Sequence, residues 1–238
     1  MTERFSASVA SRLITCPGSA NLDLSIPGWV PPVIDQTKGQ KAVGTNRHKW
    51  LQEASDLSAS ELRQIAMALE YYAQIRSRRR FKVLAEETVV VDWLQSKPKT
   101  TVDVALYVQD ELHIVDWKWG KIPVPVDDND QLMYYAVTHR NLAPKASGAW
   151  LHIIQPPADN CASTFVTAAE LKAFMLRAQA AEQQVLAKST VLNPGDKACQ
   201  FCPAYPHSRS DKGSPLCPVT MQLLYPRVVD EAEILRED

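Results

Sequence analysis

Two short stretches of alternating apolar residues, Thr101 to Val108 and Leu112 to Trp119, lie almost back to back and constrain the chain more than any other feature. Runs of β-branched and aromatic residues this close together predict a β-hairpin around Gln109 and Asp110. Side chains alternate along a strand, so Leu112, Ile114, Asp116 and Lys118 share one face. If the turn is the two residues Gln109 and Asp110, Val108 pairs with Glu111 and Asp103 falls opposite Asp116. A three-residue turn would break that register. With the two-residue turn, two carboxylates and an ammonium meet on one patch of an otherwise apolar strand face.

Carboxylates that close repel unless something neutralises them. They suit a hard cation, and Mg²⁺ and Mn²⁺ prefer oxygen ligands. Such an ion polarises a phosphodiester and lowers the pKa of a bound water. Lys118 would orient that water or stabilise charge developing on the phosphate. Trp117 and Trp119 fall on the opposite face and belong to a core.

The remaining pattern predicts a mixed sheet flanked by helices. A short helix between Met1 and Pro17 is followed by a proline-rich stretch from Pro27 to Gln40. Gly44 to Leu57 is helical in pattern. Ser58 and Glu61 form a capping box that opens a second helix, which runs into Arg76, Arg78, Arg79, Arg80 and Lys82. Val83 to Trp93 is a strand, Asp130 to His139 a helix, and Ala149 to Gln155 a strand stopped by Pro156 and Pro157. Thr167 and Glu170 make a second capping box ahead of a long amphipathic helix. From Asn193 onward the chain is loop-like. No clean linker interrupts residues 1–238, which implies one domain.

Composition excludes some classes. Apolar residues are 45% and charged residues 22% of 238, a globular balance. The net charge of −1 argues against coating nucleic acid by bulk charge, though not against a local basic groove. No apolar run approaches the ~20 residues of a membrane span, and no signal-peptide core opens the chain. A soluble, cytoplasmic protein is expected. Five cysteines in such a setting are poor candidates for structural disulfides. Cys199 and Cys202 form a CxxC, Cys217 follows, and Cys16 is far upstream, while Cys161 stands alone as a strand residue packed in the core. Four thiolates can hold a [4Fe–4S] cluster or a tetrahedral zinc ion. His207 is a substitute ligand.

Four motifs in order resemble the RecB-like branch of the PD-(D/E)XK nuclease superfamily. Asp116-Trp117-Lys118-Trp119-Gly120-Lys121 is similar to its D-[YFW]-K-x-G strand, and Gly44-Thr45-Asn46-Arg47-His48 to its upstream G-T-x-x-H helix. Asp103 stands where the family has an earlier metal-binding aspartate, and Gln131 to Tyr135 matches its Q-x-x-x-Y helix. A frequent glycine three residues before the first aspartate is here Thr100, and the stretch between Cys202 and Cys217 is longer than usual. The resemblance covers roughly residues 5–220.

It implies a restriction-endonuclease-like α/β core, with Asp103, Asp116, the backbone carbonyl of Trp117 and His48 on Mg²⁺ or Mn²⁺. Lys118 would be the catalytic lysine, with Gln131 and Tyr135 orienting it or touching DNA. Glu86 aligns with a less constant acidic position, with Glu87 as rival. Cys16, Cys199, Cys202 and Cys217 resemble the C…CxxC…C pattern of iron–sulfur relatives, phage nucleases and CRISPR-associated exonucleases among them. They imply a cysteine-stapled cap of residues 1–40 and 193–225, with structural Zn²⁺ the alternative to [4Fe–4S]. Arg76, Arg78, Arg79 and Arg80 would contact phosphates, and Trp93 is the candidate for stacking on a base.

The implied function is a metal-dependent DNA exonuclease acting from linear ends in recombination or repair, plausibly phage-encoded. An endonuclease or a CRISPR-adaptation nuclease trimming DNA ends is one rival, and a non-catalytic DNA-end-binding module another. Without a P-loop in the sequence, any helicase or single-strand annealing partner would be a separate protein.

Overall fold

The computed structural model describes residues 5–22, 81–108, 110–199 and 217–219, together with positions 63, 66, 70, 73, 74, 202 and 204. His48, His207 and Arg76, Arg78, Arg79 and Arg80 lie outside the described residues, as do the helix expected at Gly44 to Leu57 and the stretch Pro27 to Gln40. Arg63, Ala66, Glu70, Ala73 and Gln74 are helical, in keeping with the helix expected after Ser58.

Five strands form one mixed sheet in the order β1-β2-β3-β4-β5. They are β1 Phe81–Val90, β2 Lys99–Val108, β3 Glu111–Trp117, β4 Gly148–Gln155 and β5 Asn160–Thr167. All neighbours are antiparallel except β3 and β4, whose parallel pairing requires a crossover. That crossover contains helix α2, Asp130–His139, which packs against β3 and β4. The remaining described helices are α1 Ala10–Thr15, α3 Ala168–Leu186 and the single turn α4 Asp196–Cys199. The fold is thus α/β with a mixed central sheet and flanking helices.

Local chemistry explains where these elements begin. Asn129 caps α2 by accepting from the Leu132 amide at 3.1 Å. At α3 the capping box closes in both directions: the Glu170 amide donates to Thr167 Oγ1 at 3.2 Å, and the Thr167 amide donates to the Glu170 carboxylate at 2.7 Å.

The chain divides into two compact units. One comprises Ile34–Trp93 and Lys97–Met175 and contains the whole sheet and α2. On one side of this sheet Val104, Leu106, Val108, Val115, Trp117 and Ile154 form a buried cluster. The other unit comprises Met1–Val33, Leu94–Ser96 and Leu176–Asp238. In it the Gly18 amide donates to the Val191 carbonyl at 2.9 Å. A Cβ on Gly18 would come within 2.4 Å of that oxygen, so only glycine allows the approach. The buried carboxylate of Glu182 accepts from the amides of Gln95 and Ser96 at 2.8 and 2.9 Å and from the Ser96 hydroxyl.

Three expectations need correction. The sequence marks only Cys161 as a strand residue in this stretch, whereas Asn160–Thr167 form a full strand, β5, whose residues alternate half-buried and exposed. Cys161 lies on this edge strand but is exposed, because its register puts it on the outer side with Ser163 and Phe165. Trp93 packs inward instead of offering a free ring: its indole donates to Thr138 Oγ1 at 3.1 Å and meets Tyr134 and Phe174 edge to face.

Behind the sheet, His113 and His152 stack with ring centroids 5.2 Å apart and share a hydrogen bond of 3.0 Å. Burial first, and then His113, lowers the His152 pKa from 6.5 to about 3. The unfolded chain therefore takes up a proton near pH 6.5 that the folded chain refuses until about pH 3. Stability from this group is complete above 6.5 and is lost as pH falls toward 3. Urea midpoints followed from neutral to acidic pH should decline less steeply in His152→Gln than in the wild type. Equal slopes would contradict this account.

Candidate active site

The hairpin turn is two residues long. Val108 pairs with Glu111 and the ladder ends at Val104 paired with Val115, so one step beyond it the same register sets Asp103 across from Asp116. Asp110 adopts a positive φ of 67°, as tight hairpin turns require. At the end of the ladder a side chain replaces a backbone acceptor: the Trp117 amide donates to Asp103 Oδ2 at 2.7 Å. Asp103 is thereby held against the Asp116–Trp117 peptide.

Lys118 continues the same face. Its amide donates to the Ile154 carbonyl at 2.9 Å, which ties it to β4. Its ammonium lies 2.8 Å from Asp116 Oδ2, and Asp116 is only 3% exposed. Removing a charge from water this completely is costly without such a partner. The lysine Nζ also donates to Gln131 Oε1 at 3.1 Å, and Gln131 Nε2 donates to the Tyr135 hydroxyl at 3.1 Å. Gln131 and Tyr135 are one turn apart on α2, hence on one face. Burial raises the Tyr135 pKa; the bond from Gln131 opposes this, and the charges of Asp116, Asp103 and Glu86 add to it. The phenol therefore keeps its proton.

Glu86 stands opposite Asp103 on β1, between the pairs Ala85–Val104 and Glu87–Val102, where the ladder is interrupted. Its φ of 50° lies in the left-handed region, unusual for a residue other than glycine and a local strain of roughly 1–2 kcal/mol. The charge of Glu86 acts on Tyr135, whereas that of Glu87 acts on His139. Of the two rivals, Glu86 is the one whose charge reaches Tyr135.

In the other unit, Cys16, Cys199, Cys202 and Cys217 line one small cavity with Leu22, Leu192 and Pro194. Cys202 and Cys217 pack in an apolar cluster with Ala204. The Asn193 amide donates to Cys16 Sγ at 3.2 Å. Burial pushes the Cys202 thiol up, while the Ala204 backbone and the Arg12 charge pull it down. Among the described residues, no three His, Cys, Asp or Glu side chains gather closely enough to share one metal ion.

Residues 30–236 match the family DUF2800, whose description is "Protein of unknown function". The chain belongs to the DUF2800 family. Among solved structures this DUF2800 protein is similar to a crystal structure of SSO0001, at 11% identity and a TM-score of 0.36 over 81% of each chain. No helix among the described residues of the DUF2800 protein is long and apolar enough to cross a membrane.

One contributor had no signature in the sequence. Gln155, at the end of β4, is fully buried, and its amide makes three of its four hydrogen bonds to the loop after Lys118. Nε2 donates to the carbonyls of Gly120 and Ile122 at 2.8 and 2.7 Å. Oε1 accepts from the Val124 amide at 2.8 Å and from Asn160 Nδ2 at 3.0 Å. Gln155→Ala leaves these partners unpaired and should lower unfolding free energy by roughly 2–4 kcal/mol. Urea denaturation measures it, and a loss below about 1 kcal/mol would mean that water replaces the amide.

Proposed function

We propose that this protein is a divalent-metal-dependent deoxyribonuclease, an exonuclease acting on linear DNA ends, in recombination or repair. One observation carries the reading: Asp103, Asp116 and Lys118 share one face of a hairpin, with Lys118 linked through Gln131 to Tyr135. The motif resemblance supplies the family expectation, and the geometry supplies the reason for the chemistry.

The donor set fits a hard cation. Asp103 and Asp116 offer carboxylate oxygens from adjacent strands, and the resemblance adds the Trp117 carbonyl and His48. Mg²⁺ or Mn²⁺ held there would polarise a phosphodiester and lower the pKa of a water. The rest falls to the chain's own groups. Lys118, held between Asp116 and Gln131, places positive charge where the phosphorane oxygens develop negative charge. The neutral Tyr135 hydroxyl is a donor for a phosphate oxygen, and Gln131 sets its direction. Hydrolysis joins the water oxygen to phosphorus, breaks the bond to the leaving sugar oxygen and delivers a proton there. Nothing in this set reads bases, so phosphate contacts, including those expected from Arg76, Arg78, Arg79 and Arg80, give affinity without sequence preference.

The shared cavity of Cys16, Cys199, Cys202 and Cys217 supports a four-thiolate site in the unit that brings the N- and C-terminal segments together. We assign it a structural [4Fe–4S] cluster, whose bulk spreads its four thiolates apart; Zn²⁺, the alternative, would need these thiols to draw closer together than they stand. Holding it would couple cofactor binding to the folding of these segments.

Asp116→Ala and Lys118→Ala should each slow Mn²⁺-supported degradation of end-labelled linear DNA by about 100-fold or more. Undiminished degradation in either variant would remove this site from the reaction. Anaerobically purified protein should be brown and carry about four irons per chain. A colourless protein containing zinc would replace the cluster and leave the cleavage chemistry standing.

A further inference from the structure

The loop after Lys118 is held by side chains from outside it. Gln155 grips it at Gly120, Ile122 and Val124, and Asn160 Nδ2 adds a bond to the Val124 carbonyl at 2.9 Å. Pro123 and Pro125 fix two further backbone angles, and Asn129 Nδ2 holds the Pro125 carbonyl at 2.9 Å. In the middle of this clamp Ile122 is 80% exposed, more than any other large apolar side chain among the described residues. Gln155 binds the Ile122 carbonyl, so the clamp fixes the backbone and leaves the side chain outside. Lys118 is tied to the Ile154 carbonyl and Ile122 to the Gln155 side chain, so consecutive residues of β4 fasten the lysine and the apolar tip.

We propose that Ile122 is a wedge that inserts against the terminal base pair of a DNA duplex, parting the strands so that one backbone reaches Asp116 and Lys118. The proposal rests on the nuclease reading and deepens it by naming how a paired end is admitted. Isoleucine is among the apolar side chains that part base steps, and a base presents a flat apolar face to it. A tip already held rigid gives up little freedom on insertion. Lys121, exposed beside it, suits the adjoining phosphate. A protein partner fits less well, because a stable interface covers about 800 Å² on each side and this tip is a single apolar side chain between a lysine and a proline.

The test compares wild type and Ile122→Ala on two linear DNAs, one with a fully paired end and one with the same end left unpaired by mismatches. Ile122 is exposed, so the variant keeps its fold. Cleavage of the paired end should slow by about tenfold in the variant, while the unpaired end is cut within about twofold of wild type. With Ca²⁺ replacing Mn²⁺, a terminal 2-aminopurine should brighten on binding wild type and stay dim with the variant. Equal effects on both ends, or none on either, would overturn the wedge while wild-type cleavage upholds the nuclease. No cleavage of either DNA by the wild type would overturn both.

Discussion

The bond from the Trp117 amide to the Asp103 carboxylate is the contact on which the candidate site depends. An antiparallel ladder ordinarily closes with a backbone carbonyl, and here a carboxylate takes that place. The substitution fixes Asp103 at the Asp116–Trp117 peptide, which gathers negative charge at the end of the β2–β3 ladder. That charge is tolerable because the Lys118 ammonium answers it within 2.8 Å of Asp116. Gln131 and Tyr135 extend the order outward through neutral hydrogen bonds, so the polar groups form one connected chain.

The sheet supplies the stiffness that such an arrangement needs. Asp103 and Asp116 come from neighbouring strands, Lys118 is tied to β4, and Gln131 comes from the helix that crosses between β3 and β4. A side chain placed by a strand or a helix holds its position more tightly than one placed by a loop. The only loop in the group, Gly120–Val124, is converted into a fixed element by a buried glutamine. Elsewhere, in the unit containing the cysteines, backbone and side-chain bonds from Gly18, Asn21 and Asn193 do comparable work between distant parts of the sequence.

Much of this was legible in the sequence where the determining physics is local. Alternation and a two-residue turn set the register that faces Asp103 toward Asp116. The Thr167–Glu170 pair marks a helix start that the structure contains. What stayed hidden is non-local or weakly patterned. Strand β5 mixes polar and apolar residues on both of its faces, so Cys161 could not be placed on its outer side from the pattern alone. Trp93 finds Tyr134 and Phe174 from sequence-distant helices. Gln155 serves a loop over thirty residues away, and a glutamine at a strand end announces nothing of that. The backbone of Glu86, in a conformation usually left to glycine, has no sequence marker either.

The central claim is that Asp103 and Asp116 jointly hold a divalent cation beside Lys118. Crystals grown with Mn²⁺ and measured at a wavelength where manganese scatters anomalously would locate it directly. The account predicts a strong anomalous peak within ligand distance of both carboxylates in the wild type, and none there in Asp103→Asn/Asp116→Asn. Manganese absent from that position in the wild type, or retained when both carboxylates are gone, would contradict it.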